Sequence, residues 1–267
     1  MRYDDANYDL LLRGPSTEDG APQCLPRTTV YGAPGLDDRG YVPLTDFPEL
    51  LVPKADWKEV IADCHARQIF PMYHLQNAHV MDKWYQDAYG YCWAYDTTAA
   101  VMGCRAVEGQ RAVRLSPFGL GWLVGWRNRG FYVDKALEGA RERGIPPADY
   151  VPEYQLDTDK FKAGWEKEAL KYRPLEWWDT NRKLGVESMI SQALALLSTG
   201  RPCPGALDWW GHALPVVGMD WDESVSNNIV WKWWNSHDDG IIEITGSKGV
   251  PDELYCVRAT TIVAAAA

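Results

Sequence analysis

The order of its periodicities constrains this chain more than any other feature. Segments with apolar residues at helical spacing come first, at 54–69 (KADWKEVIADCHARQI), 92–107 (CWAYDTTAAVMGCRAV), 132–143, 157–172 and 185–198. After position 200 come short runs rich in β-branched and aromatic residues: GALDWW, HALPVVGMDW, NIVWKWWNS, GIIEI and LYCVRATTIV, parted by Gly, Asp, Asn and Ser. Helices followed by strands predict an α+β protein. The natural body has two lobes, one helical and one β, with a cleft between them. Residues 1–50 are rich in Gly, Pro and Asp and lack periodicity, so they read as an irregular, extended N-terminal arm. The expected division is an arm over 1–50 and a body over 51–267, its helical lobe at about 51–165 and its β lobe at about 166–263.

Composition removes several function classes. With 46% hydrophobic residues in 267, the chain can build a large core. Its 27 Lys and Arg against 37 Asp and Glu give a net charge of −10, which argues against broad binding to nucleic acid. No apolar run approaches the ~20 residues that span a bilayer, so no membrane partner is expected. The start, MRYDDANYDLLLRG, is acidic and has no apolar stretch. It predicts no signal peptide and a place in the cytoplasm or in a microbial or viral particle. Six scattered cysteines without a C-x-x-C pair read as free thiols, one of them a candidate for reactivity.

Other clusters have ordinary readings. His65, His74 and His79 lack metal-ligand spacing, so no metal is expected. The Trp pairs at 177–178, 209–210 and 233–234 read as core and cleft walls, with a sugar-stacking groove as the alternative. Asp220, Asp222 and Glu223 read as a solvated turn, since they lack a calcium-loop pattern.

A thiol becomes a strong nucleophile only as thiolate, and a helix N-terminus or a neighbouring imidazolium favours that form. Acyl transfer also needs donors for the oxyanion and a group to orient the imidazole. Cys92 opens a small-residue helix just after Gly90, whereas Cys104 on the same helix reads as core. Gln86 lies six residues before Cys92, with a side-chain amide that could serve the same oxyanion. His212 begins a strand-like run directly after Gly211. Asn235 ends another, and neighbouring strands could bring the two together.

These residues also fall into a known pattern. Gln86-Asp87-Ala88-Tyr89-Gly90-Tyr91-Cys92-Trp93-Ala94-Tyr95 resembles the Q-G-x-C-G-x-C-W-A-F segment of the papain-like cysteine peptidases. Gly211-His212-Ala213-Leu214-Pro215-Val216-Val217-Gly218 is similar to that family's x-H-A-x-x-x-V-G. Trp234-Asn235-Ser236, followed by Asp239-Gly240-Ile241-Ile242, resembles K-N-S-W … N-G-Y-I-R-I. Asn128-Arg129-Gly130-Phe131 with Ala136-Leu137 looks like N-G-G-Y … A-L. The resemblance covers about residues 84–260. Three positions depart from it. Tyr89 replaces a disulfide cysteine, Arg129 one of two glycines, and His237 a Trp that shields the His–Asn bond. The stretch upstream of the first motif matches nothing, and no inhibitory propeptide pattern is recognisable in residues 1–83.

The resemblance implies a papain-like two-lobed fold, with a helical left lobe and a β-barrel-like right lobe. It implies hydrolysis of peptide or isopeptide bonds, with Cys92 as nucleophile, His212 as its acid–base partner, Asn235 orienting His212, and Gln86 as oxyanion donor. Gly130, Phe131, Trp93 and Gly211 would contact a protein or peptide substrate. No metal or organic cofactor is implied. The alternative expectation is a catalytically silent papain-like domain that serves a larger assembly such as a virus particle, with a partner holding the arm.

Overall fold

The computed structural model describes residues 2–13, 24–27, 40–75, 84–125, 128–237 and 240–263. His79, Asp239 and residues 14–23 and 28–39 of the expected arm lie outside them.

The helical lobe is organised around α2 (Cys92–Val107), whose residues from Cys92 to Arg105 are all buried. Its Ala, Gly and Thr side chains let neighbours approach on every face, so the helix forms the axis of the molecule. Two helices pack on it, α3 (Pro117–Leu123) and α4 (Val133–Arg143). α3 is absent from the sequence expectation although its start signal is present. Ser116 caps it, accepting the Gly119 N–H, and Pro117 fills the first turn. The expected helix at 157–172 breaks up into a single turn at Thr158–Lys160 and the short α5 (Trp165–Ala169). Phe161 is extended and Gly164 is left-handed at φ 83°, which stops a continuous helix.

Among the described residues eight strands form one sheet, in the order β1-β7-β6-β5-β4-β8-β3-β2. They are β1 (Arg2–Tyr3), β2 (Tyr41–Pro43), β3 (Pro174–Asp179), β4 (Cys203–Leu207), β5 (His212–Trp221), β6 (Ile229–Asn235), β7 (Gly240–Ile244) and β8 (Glu253–Thr260). β3 was not foreseen, because its Trp177-Trp178 pair was read as a wall. GALDWW is a strand only as far as Leu207, beyond which the chain turns back to β5. The interior of the sheet is antiparallel. Its two outermost strands, β1 on β7 and β2 on β3, pair in parallel. Both come from the first fifty residues, so parts of the expected arm cover the sheet's edges.

The remaining long helices, α1 (Trp57–Ala66) and α6 (Val186–Leu197), pack against this sheet. Trp57, Ile61, Met189, Ile190, Leu194, Trp231 and Trp233 fill the core between them. A second core, around Trp93, Tyr95, Phe118, Leu137 and Tyr255, joins α2–α4 to the inner strands. Two lobes therefore meet along α2 and β5. Among the described residues no helix is long and apolar enough to cross a membrane.

Candidate active site

Cys92 is the first residue of α2, and the turn before it is held from the other side of the lobe. The Gly90 N–H donates to Asn128 Oδ1 at 2.9 Å. The Trp93 indole donates to the carbonyls of Gly90 (3.0 Å) and Arg129 (3.1 Å). Trp93 is wholly buried and ties the 128–131 loop to the helix start.

His212 begins β5 and Asn235 ends β6. Because these strands are antiparallel neighbours, the start of one lies beside the end of the other. His212 Nε2 lies 3.1 Å from Asn235 Oδ1. The same oxygen accepts the His237 N–H at 3.1 Å. His237 stacks on the imidazole, with centroids 4.1 Å apart and planes at 25°, and Trp210 meets it from the side, tilted at 56° with centroids 4.4 Å apart. His237 thus covers the face of His212 beside its bond to Asn235.

The lobes meet at the sulfur. The backbone N–H of Ala213, next to the imidazole, donates to Cys92 Sγ at 3.4 Å. His212 Nδ1 is buried and has no hydrogen-bond partner among the described residues. Gln86 is fixed by the loop after β6, its N–H donating to the Ser236 carbonyl at 2.8 Å and its Oε1 accepting the Ser236 hydroxyl. Its Nε2 donates to the Tyr89 carbonyl at 2.7 Å. Ser236 was quoted only as part of a motif, yet it anchors Gln86 to the strand that carries Asn235.

Water is excluded from the pair, Cys92 being 0% and His212 1% exposed. Burial pushes the Cys92 thiol up to about 12, against N–H donors from Ala213, Trp93 and its own backbone that act the other way. Burial also pushes His212 well below the ordinary imidazole range. His237 adds to that, and the bond to Asn235 opposes it. Burial thus favours the uncharged form of both groups in this state.

The lid is the chain's own arm. The Cys24 N–H donates to the Gly211 carbonyl at 2.7 Å, and the Leu25 N–H to the Phe131 carbonyl at 3.0 Å. Cys24 forms a parallel bridge with Phe131. Segment 24–27 thus lies across the gap between the two lobes and bonds to two of the expected substrate contacts. Gly211 is left-handed at φ 64°, which suits the turn from Leu207 into β5. Gly130 is buried beside Phe131. No local pattern in the sequence marked Cys24 or its neighbours for this place.

Among the described residues no group of three or more His, Cys, Asp or Glu could hold a metal ion. All six cysteines are free and buried.

No protein-family model and no curated protein matches the sequence. Solved structures do. A digestive procathepsin L 3 from the larval midgut of Tenebrio molitor aligns with TM-score 0.52 and 18% identity over 67% of this chain and 65% of that one. A procathepsin B from Trypanosoma congolense gives 0.51 and 19% over 66% and 70%. Xylellain, a cysteine protease from Xylella fastidiosa, gives 0.51 and 15% over 65% and 81%. The chain spans slightly less than two thirds of the procathepsin L 3. The fold is therefore that of the papain-like cysteine peptidases. At these identities this chain is a divergent version of it.

Proposed function

We propose that the protein is a thiol-dependent peptidase in a closed state, its cleft covered by its own arm. One observation carries this reading. The thiol that opens α2 receives its N–H contact from the residue next to an imidazole of the other lobe, and that imidazole is bonded to Asn235 while its Nδ1 stays uncommitted.

Once the arm leaves, Nδ1 accepts the Cys92 proton, and the sulfur attacks a peptide carbonyl carbon. The C–N bond then breaks as the imidazolium returns its proton to the leaving amine, leaving a thioester on Cys92. Water, deprotonated by His212, hydrolyses the thioester and frees the acid. The backbone N–H of Cys92 and the Gln86 amide are the candidate oxyanion donors, and losing one such donor costs ~10²–10³ in rate. Asn235, bonded to Nε2, fixes the ring and leaves Nδ1 as the nitrogen free to take the proton. Two of the similar structures are described as proforms, which agrees with a covered cleft.

In a chain whose arm has been unseated, Cys92→Ala is expected to abolish both cleavage of a general protein substrate and labelling at position 92 by a thiol alkylator. Equal cleavage by the two forms would refute the reading. The fully buried pair, with its uncharged forms favoured, supports one alternative, a silent domain whose arm never leaves. That alternative predicts no labelling of Cys92 even after the arm is unseated.

A further inference from the structure

The arm does more than cover the thiol, for it also inserts a charge. Three residues beyond Cys24, roughly 10 Å of extended chain, Arg27 enters a chamber on one face of the paired strands β3 and β8. Its guanidinium pairs with the Asp179 carboxylate and donates to the Thr180 carbonyl at 3.1 Å. Its Cζ lies 5.3 Å from the centre of the Tyr255 ring. The Tyr255 hydroxyl donates to Glu253 Oε2 at 2.8 Å.

The chamber is buried and rich in acid. Asp179 is 0% and Glu253 1% exposed. Glu253 Oε1 has no partner among the described residues. Asp134, from the start of α4, also acts on Glu253. A buried carboxylate is costly without a cation, and a planar cation with several N–H donors satisfies an acid, a carbonyl and an aromatic face together. The cation that meets this demand is borne by a segment lying in the cleft, where a bound peptide would also lie.

We propose that this chamber is a recognition pocket for a peptide arginine, built from Asp179, Glu253, Tyr255 and the Thr180 carbonyl, and that Arg27 occupies it in the closed protein. The proposal rests on the peptidase reading. It adds a substrate class to that reading: peptides that carry arginine a few residues from the bond at Cys92. Arm and substrate then compete for one pocket as well as for one thiol.

The test uses the full chain with Cys92→Ala and Arg27→Ala, so that nothing is cleaved and the pocket is vacated. Thermal unfolding is followed with N-acetyl-arginine amide or its neutral isostere, N-acetyl-citrulline amide. Anisotropy compares a short fluorescent peptide carrying arginine with the same peptide carrying citrulline. Arginine is expected to bind ~10–100-fold tighter, the usual margin of a charge-assisted bond. Adding Asp179→Asn should erase that preference. If the Asn variant does not fold, Asp179→Ser takes its place and should erase the preference likewise. The arginine amide should leave the melting of the parent protein unchanged, because its pocket is full. Equal affinity for arginine and citrulline, binding of neither by a cooperatively folded variant, or a preference that survives these substitutions would each overturn the proposal. These readouts need no thiol, so the arginine preference and the peptidase reading fail separately.

Discussion

Unseating the arm should expose Cys92, and the size of the effect follows from the contacts. Segment 24–27 is held by two backbone hydrogen bonds, to Gly211 and Phe131, and by the Arg27 guanidinium on Asp179 and Thr180. Each neutral bond contributes about 1 kcal/mol net and the charge-assisted contact about 2 kcal/mol. The double change Leu25→Pro and Arg27→Ala removes the Phe131 bond and the guanidinium, a loss of about 3 kcal/mol. That raises the open fraction roughly 10²-fold. In the closed state burial holds the thiol at about 12. An ordinary cysteine ionises near ~8.5, so at neutral pH the closed Cys92 thiolate is scarcer by roughly 10³. Labelling by iodoacetamide, with peptide mass mapping to separate Cys92 from Cys24, should therefore be very slow in the parent and roughly 10²-fold faster in the double variant. Parent labelling at the rate of a free thiol would refute the reasoning. So would an unchanged rate in a variant that still unfolds cooperatively.

Four further outcomes follow from contacts at the site. Asn235→Ala removes the acceptor bonded to His212 Nε2, and in the opened protein it should lower kcat by ~10² with KM nearly unchanged; a fall in KM alone would count against an orienting role. His237→Phe keeps a ring on His212 but deletes the neighbouring imidazole that pushes its pKa down; NMR titration should find His212 ionising at higher pH, and a shift the other way would contradict the stacking argument. Glu253 titrates at about 8 in the folded chain against an ordinary 4.5, with burial as the main cause. The folded state therefore holds the extra proton between those values, and this contribution to stability is full below about 4.5 and lost as pH rises through about 8, at up to about 1.4 kcal/mol per pH unit; Glu253→Gln should flatten this part of the pH–stability curve in urea titrations. Gly205→Ala would set a Cβ 2.8 Å from the Glu253 carbonyl oxygen and should cost about 2 kcal/mol; an unchanged urea midpoint would show that β4 and β8 have room to part.

Much of the architecture was readable in the sequence because its signals are local. The small-residue run after Gly90 specifies a buried helix with Cys92 at its head, and the β-branched runs specify β5, β6 and β8. Lobe membership was not readable. α1 is periodic like any surface helix, and only the complementary faces of β5 and α6 assign it to the sheet. β3 was hidden because Trp177 and Trp178 alternate between burial and partial exposure only once β8 is beside them. The side chains at the site were named from spacing, but their states come from tertiary burial. Nothing local reveals that burial lowers the basicity of His212, that His237 stacks on it, or that Arg27 finds Asp179, 152 positions along the chain.

The preference for an uncharged pair is compatible with the proposed chemistry because its causes separate. For both Cys92 and His212 the largest cause is exclusion of water, and the arm contributes to that exclusion. Water returning with the arm's departure relieves the thiol and the imidazole together. The N–H contacts from Ala213, Trp93 and Cys92 itself belong to α2 and β5, so they remain and continue to favour the thiolate. The opposing charge is Asp96, one turn along α2. Burial pushes its carboxyl well above the usual range, with only the Gly205 N–H, at 3.0 Å, working against that. A protonated Asp96 exerts no repulsion on a thiolate. Under the proposed function, arm release would therefore do more than uncover a finished nucleophile, since it would be the step that lets the proton move from Cys92 to His212. Labelling of the opened protein should then persist to a lower pH than that of a free cysteine, with an acid limb set by the pair rather than by the thiol alone.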